Sequence, residues 1–183
     1  MKRMKIRIIG YAGSGKTSLT LKLQKKYHIQ GISLDDYLKL KDKNVRYNKL
    51  NDRLSGLSQW IVEGVQVSRW TEKSILEADL IILLDYPLSL SQYRVTKRAF
   101  NQCFEPNKQF SDRKKSIKRM FKLYKWNTRF KKRLPDIKRD LYMSPAKLLI
   151  LESPDDIKRV HREIKSASAK STKSKKRKKS SKK

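Results

Sequence analysis

The chain has 183 residues and carries 47 Lys and Arg against 17 Asp and Glu, which gives a formal net charge of +30. This length suits one domain with an appendage and is too short for two full domains. The single cysteine, Cys103, excludes an internal disulfide and favours a reducing compartment. The apolar runs are too short for a secretory signal or a membrane span, so we expect a cytoplasmic protein with no membrane partner.

The positive charge is spread along the chain and is densest near the C-terminus. Residues 166–183 carry nine Lys and Arg and no acid, so 38 basic and 17 acidic residues remain in 1–165. A field this strong attracts polyanions, which include nucleotides, nucleic acid, anionic lipid and acidic protein. Because 166–183 contains no large apolar side chain, we predict a domain over 1–165 and a disordered tail over 166–183.

Short apolar segments alternate with helical patterns along most of the domain. The predicted strands are 6–9, 32–34, 60–62, 80–84 and 147–151. Predicted helices follow the first strand, where Leu19, Leu23 and Tyr27 recur at intervals of four, and cover about 47–57, 68–78 and the segment after Ser153. This alternation is typical of an α/β fold with a doubly wound, five-stranded parallel sheet.

The segment 88–145 has helical periodicity, no convincing strand and many basic residues. From Arg113 to Arg133 there are eleven Lys and Arg and no acid, interleaved with Phe121, Tyr124, Trp126 and Phe130. We expect a helical lid over about 102–140 at the carboxyl ends of the strands, where open α/β sheets bind ligands. Aromatics at helical spacing favour a buried stripe, whereas the basic side chains are candidates to close over ATP or to follow a DNA or RNA backbone.

The segment "IIGYAGSGKTSL" over 8–19 carries the clearest chemical signal. It matches the Walker A pattern, Gly-x-x-x-x-Gly-Lys-Thr, between a predicted strand and a predicted helix. In that pattern backbone N–H groups and the positive end of the helix bind phosphate, the lysine reaches the β- and γ-phosphate oxygens, and the threonine hydroxyl ligates Mg²⁺. We therefore predict ATP and Mg²⁺ as cofactors. The expected contacts come from Gly10, Ala12, Gly13, Ser14, Gly15, Lys16, Thr17 and Ser18.

Phosphoryl transfer also needs a group that orients the acceptor and an acid that orders the metal. Asp35 and Asp36 follow the second strand, where Asp35 is the candidate to accept a proton from an acceptor hydroxyl and Asp36 to bind the acceptor. The alternative is that this pair caps a helix. Glu63 and Asp85 each follow an apolar strand and are the candidate metal-ordering acids. Hydropathy alone favours Asp85, and the strand that neighbours the loop strand would decide between them.

Two arginines provide candidate ligands for the transferring phosphoryl group. Arg94 and Arg98 lie four residues apart on a predicted helix and therefore share one face. Lys97 adds a charge of the same sign. Because clustered like charges cost free energy unless an anion is near, we interpret the arginine pair as catalytic ligands of the triphosphate.

These residues resemble the adenylate-kinase-like P-loop kinases, and most closely the DNA topology modulation proteins. The resemblance covers about 4–160 and rests on "IIGYAGSGKTSLTLKL", "SLDDYL", "WIVEG", "ADLIILLDYP", "YRVTKR" and "FKLYKWNTRFKKRLPDI". It implies a nucleotide-kinase core with strand order 2-3-1-4-5, in which Glu63 rather than Asp85 stands beside the loop strand. It also implies that Arg94 and Arg98 begin the lid, that Asp35 faces the acceptor, and that Arg69 contacts the acceptor's phosphate. The chain has Glu63-Gly64-Val65 where this family usually has Asp-Gly-Asn.

The sequence supports three interpretations of function. The first is an ATP- and Mg²⁺-dependent phosphotransferase of the nucleoside or nucleotide kinase type, with an unidentified acceptor. The second is a nucleic-acid-binding P-loop ATPase in which ATP regulates binding to DNA or RNA through the lid and the tail. The third is a nucleotide-binding protein without turnover.

Overall fold

A computed structural model describes residues 3–106 and 109–167. Five strands form one sheet in which every neighbouring pair is parallel. They are β1 (Lys5–Gly10), β2 (Gly31–Ser33), β3 (Trp60–Glu63), β4 (Leu80–Leu84) and β5 (Lys147–Leu151). The order across the sheet is β2-β3-β1-β4-β5. This confirms the predicted fold class and the strand order that the family resemblance implied.

Helices connect the strands and extend beyond the last one. They are α1 (Lys16–Tyr27), α2 (Lys43–Ser55), α3 (Glu72–Leu76), α4 (Leu88–Cys103), α5 (Phe110–Tyr142) and α6 over 157–167, with 3-10 turns at Leu34–Lys39, Arg69–Thr71 and Pro154–Asp156. The helix predicted over 68–78 is shorter and begins as a 3-10 turn. The reason is local, because the Thr71 hydroxyl accepts from the Ser68 N–H at 3.2 Å and donates to the Ser68 carbonyl at 2.9 Å.

The core consists of two apolar clusters, one on each face of the sheet. In β4, Leu80, Ile82 and Leu84 pack in one cluster, whereas Ile81 and Leu83 pack in the other, as alternation along a strand requires. Helices α1 and α6 cover the first face, and α2 with residues 127–141 of α5 cover the second. Both faces of β4 are therefore buried, which its unbroken apolar sequence predicted.

Helix α5, the second of the two helices between β4 and β5, has two different halves. Residues 110–126, which we call the basic arm, contain no buried residue and pack against α4, whereas 127–141 place Phe130, Leu134, Ile137 and Leu141 in the core. The prediction of a buried aromatic stripe is therefore wrong for Phe121 and Trp126, which are 56% and 44% exposed. It holds for Phe130. The basic arm packs on α4 and places no residue in either core cluster, whereas Phe130 packs in the second cluster.

The register of the sheet brings the chemically important strand ends to one edge. Gly10 pairs with Leu84, which pairs with Leu151, and Ile8 pairs with Glu63, which pairs with Ser33. The phosphate loop, Glu63 and Asp85 therefore lie at the same carboxyl edge.

The predicted tail begins inside helix α6. Helix α6 includes residues 166 and 167, and Ala167 packs against the first cluster, so the first two residues of the predicted tail are helical. The remainder of that predicted tail, 168–183, lies outside the described residues.

Within 3–106 and 109–167, no helix combines the length and apolarity needed to cross a membrane.

Candidate functional site

The loop between β1 and α1 lines a cavity of about 520 Å³ at the carboxyl edge of the sheet. Gly13 and Gly15 have φ values of 83° and 95°, in the left-handed region that favours glycine. At Gly13 a side chain is also excluded by space, because a Cβ atom would lie 2.5 Å from the Ser91 carbonyl oxygen of α4. The loop residues that line the cavity are Ala12, Gly13, Ser14, Gly15, Lys16, Thr17 and Ser18. Gly10 ends β1 and does not line it.

Lys16 is half-buried beside the loop, and its ammonium is held by a backbone carbonyl of the loop. Its Nζ donates to the Tyr11 carbonyl oxygen at 2.7 Å. Burial lowers the pKa of Lys16 to about 8, although Glu63 and Asp35 favour the charged form and partly offset this effect. The ammonium therefore lies in a poorly solvated place where phosphate oxygens would stabilise its charge.

Glu63 joins the loop to β2 through a hydroxyl cluster. The Thr17 hydroxyl donates to Glu63 Oε1 at 3.0 Å, and the Ser33 hydroxyl donates to the same oxygen at 3.1 Å. Glu63 is 5% exposed. Mg²⁺ prefers oxygen ligands and usually combines one or two protein groups with water and substrate phosphates, so Thr17 and Glu63 fit this ion. Among the described residues no group of three or more His, Cys, Asp or Glu forms a metal cage.

Asp85, the other candidate acid, is occupied elsewhere. Lys138 and Lys131 of α5 donate to its carboxylate at 2.7 and 3.1 Å, and the Tyr11 hydroxyl donates at 3.2 Å. Burial opposes ionisation of Asp85, but the two lysines outweigh it and hold the pKa of this carboxyl below its usual value. Asp85 does not line the loop cavity.

Strand adjacency does not separate the two acids, contrary to what the family resemblance implied. Strand β1 lies between β3 and β4, so Glu63 and Asp85 both follow neighbours of the loop strand. Hydrogen bonding distinguishes them, because Glu63 contacts Thr17 whereas Asp85 contacts lysines.

Asp35 lines the same cavity, in the 3-10 turn after β2. The Gln66 Nε2 donates to Asp35 Oδ1 at 3.0 Å. Gln66 is itself held by Arg7, which is fully buried and donates to the Gln66 carbonyl at 2.7 Å and to the Val62 carbonyl at 3.2 Å. Burial lowers the pKa of Arg7 to about 9, and Glu63 partly offsets this. A buried cation thus fixes the loop after β3 and, through Gln66, the carboxylate of Asp35.

The remaining predicted site residues divide into two groups. Arg94 and Arg98 line the cavity from α4, and Arg94 Nη1 donates to the Ser14 carbonyl at 3.3 Å. Asp36 is exposed and does not line this cavity, and Arg69 lines two other cavities of about 620 and 690 Å³. The structure therefore brings the donor-side residues together with Asp35, and it does not bring Asp36 or Arg69 to them.

Asn127 was not identified from the sequence, although it contacts the loop directly. Its Oδ1 accepts from the Ala12 N–H at 3.0 Å, and its Nδ2 donates to the Ala12 carbonyl at 2.9 Å. The sequence does contain a pattern that indicates its burial. Asn127 begins a stripe at helical spacing that continues with Phe130, Leu134, Ile137 and Leu141. A polar side chain on such a stripe is buried and needs a specific partner.

Comparisons with known proteins inform the fold. No model of a known protein family matches this chain, and no curated protein sequence matches it. Among solved structures, the chain is similar to a shikimate kinase from Acinetobacter baumannii in complex with shikimate, with a TM-score of 0.53, 16% sequence identity and coverage of 90% of this chain and 94% of that chain. Together with the strand order and the phosphate loop, this similarity shows that the chain has the fold of a P-loop kinase.

Proposed function

We propose that this protein is an ATP- and Mg²⁺-dependent phosphotransferase of the nucleoside or nucleotide kinase type. The supporting observation is that one cavity is lined by the phosphate loop, Asp35, Glu63 and the arginine pair of α4. A protein that only switches shape needs the loop and a metal site. A carboxylate such as Asp35, within the same cavity and oriented by Gln66, fits the additional need to align an acceptor.

On the donor side, each residue has a role that follows from its position. Backbone N–H groups of the loop and the Lys16 ammonium bind the phosphates, and Arg94 and Arg98 neutralise charge that develops on the transferring group. Thr17 and Glu63 would hold Mg²⁺, which supplies charge stabilisation to the phosphate oxygens when it is bound. Arg119 of the basic arm lines the same cavity and is a further cation on this side.

On the acceptor side, Asp35 is the candidate base. A carboxylate that accepts a hydrogen bond from the acceptor hydroxyl orients this oxygen toward the γ-phosphate and takes its proton during transfer. Asp36 and Arg69 remain proposed acceptor ligands, although they lie outside the loop cavity. The closer relation to DNA topology modulation proteins likewise remains part of this proposal.

The test is transfer of label from γ-labelled ATP to a panel of acceptors. The panel contains nucleosides, nucleotides, oligonucleotide ends and shikimate, because the similar solved structure is a kinase in complex with shikimate. We expect one class of acceptor to be labelled in a Mg²⁺-dependent reaction that Lys16→Ala and Asp35→Asn both abolish. ATP hydrolysis without any labelled acceptor would contradict the kinase assignment.

A specific observation favours nucleic-acid binding as a second candidate function. The basic arm exposes Phe110, Phe121 and Trp126 among seven Lys and Arg, and Trp126 also lines the loop cavity. Exposed aromatics among cations are the features that stack bases and follow the backbone of a single strand. We expect a labelled single-stranded oligonucleotide to bind the full chain, and Phe121→Ala to weaken this binding severalfold. Equal binding by the variant would count against stacking on the arm.

A further inference from the structure

Asn127 makes a two-point contact with one residue of the phosphate loop. It is 1% exposed, lies where the basic arm meets the core-facing half of α5, and uses both ends of its carboxamide on Ala12. The carboxamide oxygen accepts from the Ala12 N–H and the nitrogen donates to the Ala12 carbonyl. A single side chain thus fixes the direction of both backbone groups of Ala12.

These two hydrogen bonds also determine the direction of the neighbouring backbone groups. In a planar trans peptide, the carbonyl of one residue and the N–H of the next point in opposite directions. Because the Ala12 N–H points to Asn127, the Tyr11 carbonyl points away from α5, and there it accepts from Lys16 Nζ at 2.7 Å. Because the Ala12 carbonyl points to Asn127, the Gly13 N–H also points away from α5, and Gly13 lines the cavity.

Asn127 is held in place by further contacts of α5 with the same part of the loop. The rings of Tyr11 and Phe130 meet edge to face with centroids 5.2 Å apart. The Tyr11 hydroxyl donates to Asp85, whose carboxylate binds Lys131 and Lys138 of α5. The helix therefore cannot shift against the loop without breaking several contacts, and the carboxamide of Asn127 stays aligned with Ala12.

We propose that Asn127 is a positioning residue that holds two consecutive peptide groups of the loop, so that the Gly13 N–H and the Lys16 ammonium both face the phosphates of the nucleotide. This inference rests on the nucleotide binding in the proposed function and not on turnover. Without these two hydrogen bonds, the peptide between Ala12 and Gly13 can rotate and aim the Ala12 carbonyl oxygen at the phosphates. The peptide between Tyr11 and Ala12 would be held only by the hydrogen bonds that the Tyr11 carbonyl accepts from the Ser14 N–H at 3.2 Å and from Lys16 Nζ at 2.7 Å.

The test uses two substitutions with different hydrogen-bonding capacity. Asn127→Leu removes both hydrogen bonds at similar volume, and Asn127→Asp keeps the acceptor for the Ala12 N–H but places a second acceptor against the Ala12 carbonyl. We expect both to weaken ATP binding about tenfold or more, measured by calorimetry on the full chain. The matched control is Asn101→Asp, the same change on an exposed position of α4, which should alter the affinity less than about twofold.

Amide hydrogen exchange separates positioning from general damage. In the wild-type protein, the Ala12 N–H should be protected before ATP is added. In Asn127→Asp this protection should persist while ATP affinity falls, whereas in Asn127→Leu both should be lost. The proposal is overturned if the wild-type Ala12 amide exchanges like an unprotected one, or if the folded variants bind ATP as tightly as the wild type. The wild-type measurement keeps the test decisive even if both variants fail to fold.

The two proposals can fail separately. If the wild-type protein binds ATP but labels no acceptor, the kinase assignment falls while the role of Asn127 stands. If label is transferred and the Asn127 variants bind ATP normally, the role of Asn127 falls while the kinase assignment stands.

Discussion

Lys16 is the residue whose protonation should set the pH range of nucleotide binding. Burial lowers the pKa of Lys16 to about 8, so the ammonium is present below this pH and is lost as the pH rises above it. Since phosphate binding needs the charged form, the affinity for ATP should fall on the order of tenfold between pH 7.5 and pH 9.5. Calorimetric titration over this range measures the effect. In Lys16→Ala the affinity should be low and nearly independent of pH, and a wild-type profile that is flat to pH 9.5 would contradict this role.

Glu63 and Asp85 are best distinguished by their effect on the Mg²⁺ requirement. Glu63→Gln keeps an oxygen that can accept from Thr17 and Ser33 but removes the negative charge. We expect the Mg²⁺ concentration for half-maximal ATP binding to rise about tenfold, since a carboxylate is the stronger partner for this ion. Asp85→Asn should leave this concentration within about twofold, because Asp85 binds Lys131 and Lys138. The opposite pattern would assign the metal to Asp85.

The donor side of the site was predictable from sequence, and the contacts that organise it were not. The Walker pattern specifies local backbone geometry, so its spacing alone predicted that Gly13, Lys16 and Thr17 lie together at one cavity. Asn127 and Arg7 act on residues 115 and 59 positions away, respectively, and their contacts depend on how helix and sheet meet. The lysine contacts of Asp85 were not predictable either, because hydropathy indicates where a strand ends but not which side chains from α5 reach that end.

Helix α5 combines an anchored half with the basic arm, and these halves should differ in their contribution to stability. Leu134 is 3% exposed in the core, whereas Ile117 is 47% exposed on the arm. Leu134→Ala should lower the free energy of unfolding by about 2–4 kcal/mol, through lost burial and a residual cavity. Ile117→Ala should change it by less than about 0.5 kcal/mol. Urea unfolding of both variants measures the difference, and similar losses at the two positions would show that the arm is packed after all.

Strand positions were easier to predict than helix ends or helix burial. β4 and β5 have the bounds that their apolar runs indicated, because a strand buried on both faces leaves a continuous signal. The helix expected over 68–78 was overestimated, since its periodicity says nothing of the Ser68–Thr71 turn. α5 continues through Pro135, a residue that usually interrupts helices. Which residues of α5 are buried depends on where the helix meets the core, and the spacing of the aromatic residues does not show that place.

At the scale of the whole molecule, the net charge of +30 is carried partly by one exposed element. The basic arm has seven Lys and Arg and one acid within 17 residues, and all seven cations are exposed. An α-helix of this length spans about 25 Å. The arm can therefore supply a defined part of any nucleic-acid affinity, separate from the highly basic segment 168–183.

The contribution of the basic arm to nucleic-acid binding can be measured from the salt dependence of the affinity. Binding to single strands weakens with salt by a slope of about −0.7 in log–log form for each phosphate neutralised. Replacing Lys114, Lys118 and Lys122 by Gln in the full chain should therefore reduce the slope for a single-stranded oligonucleotide by about 2. The matched control replaces Lys25, Lys49 and Lys158 by Gln; these lysines are also exposed but lie on α1, α2 and α6. If both triple variants change the slope equally, the attraction comes from net charge alone, and the arm is not the contact surface.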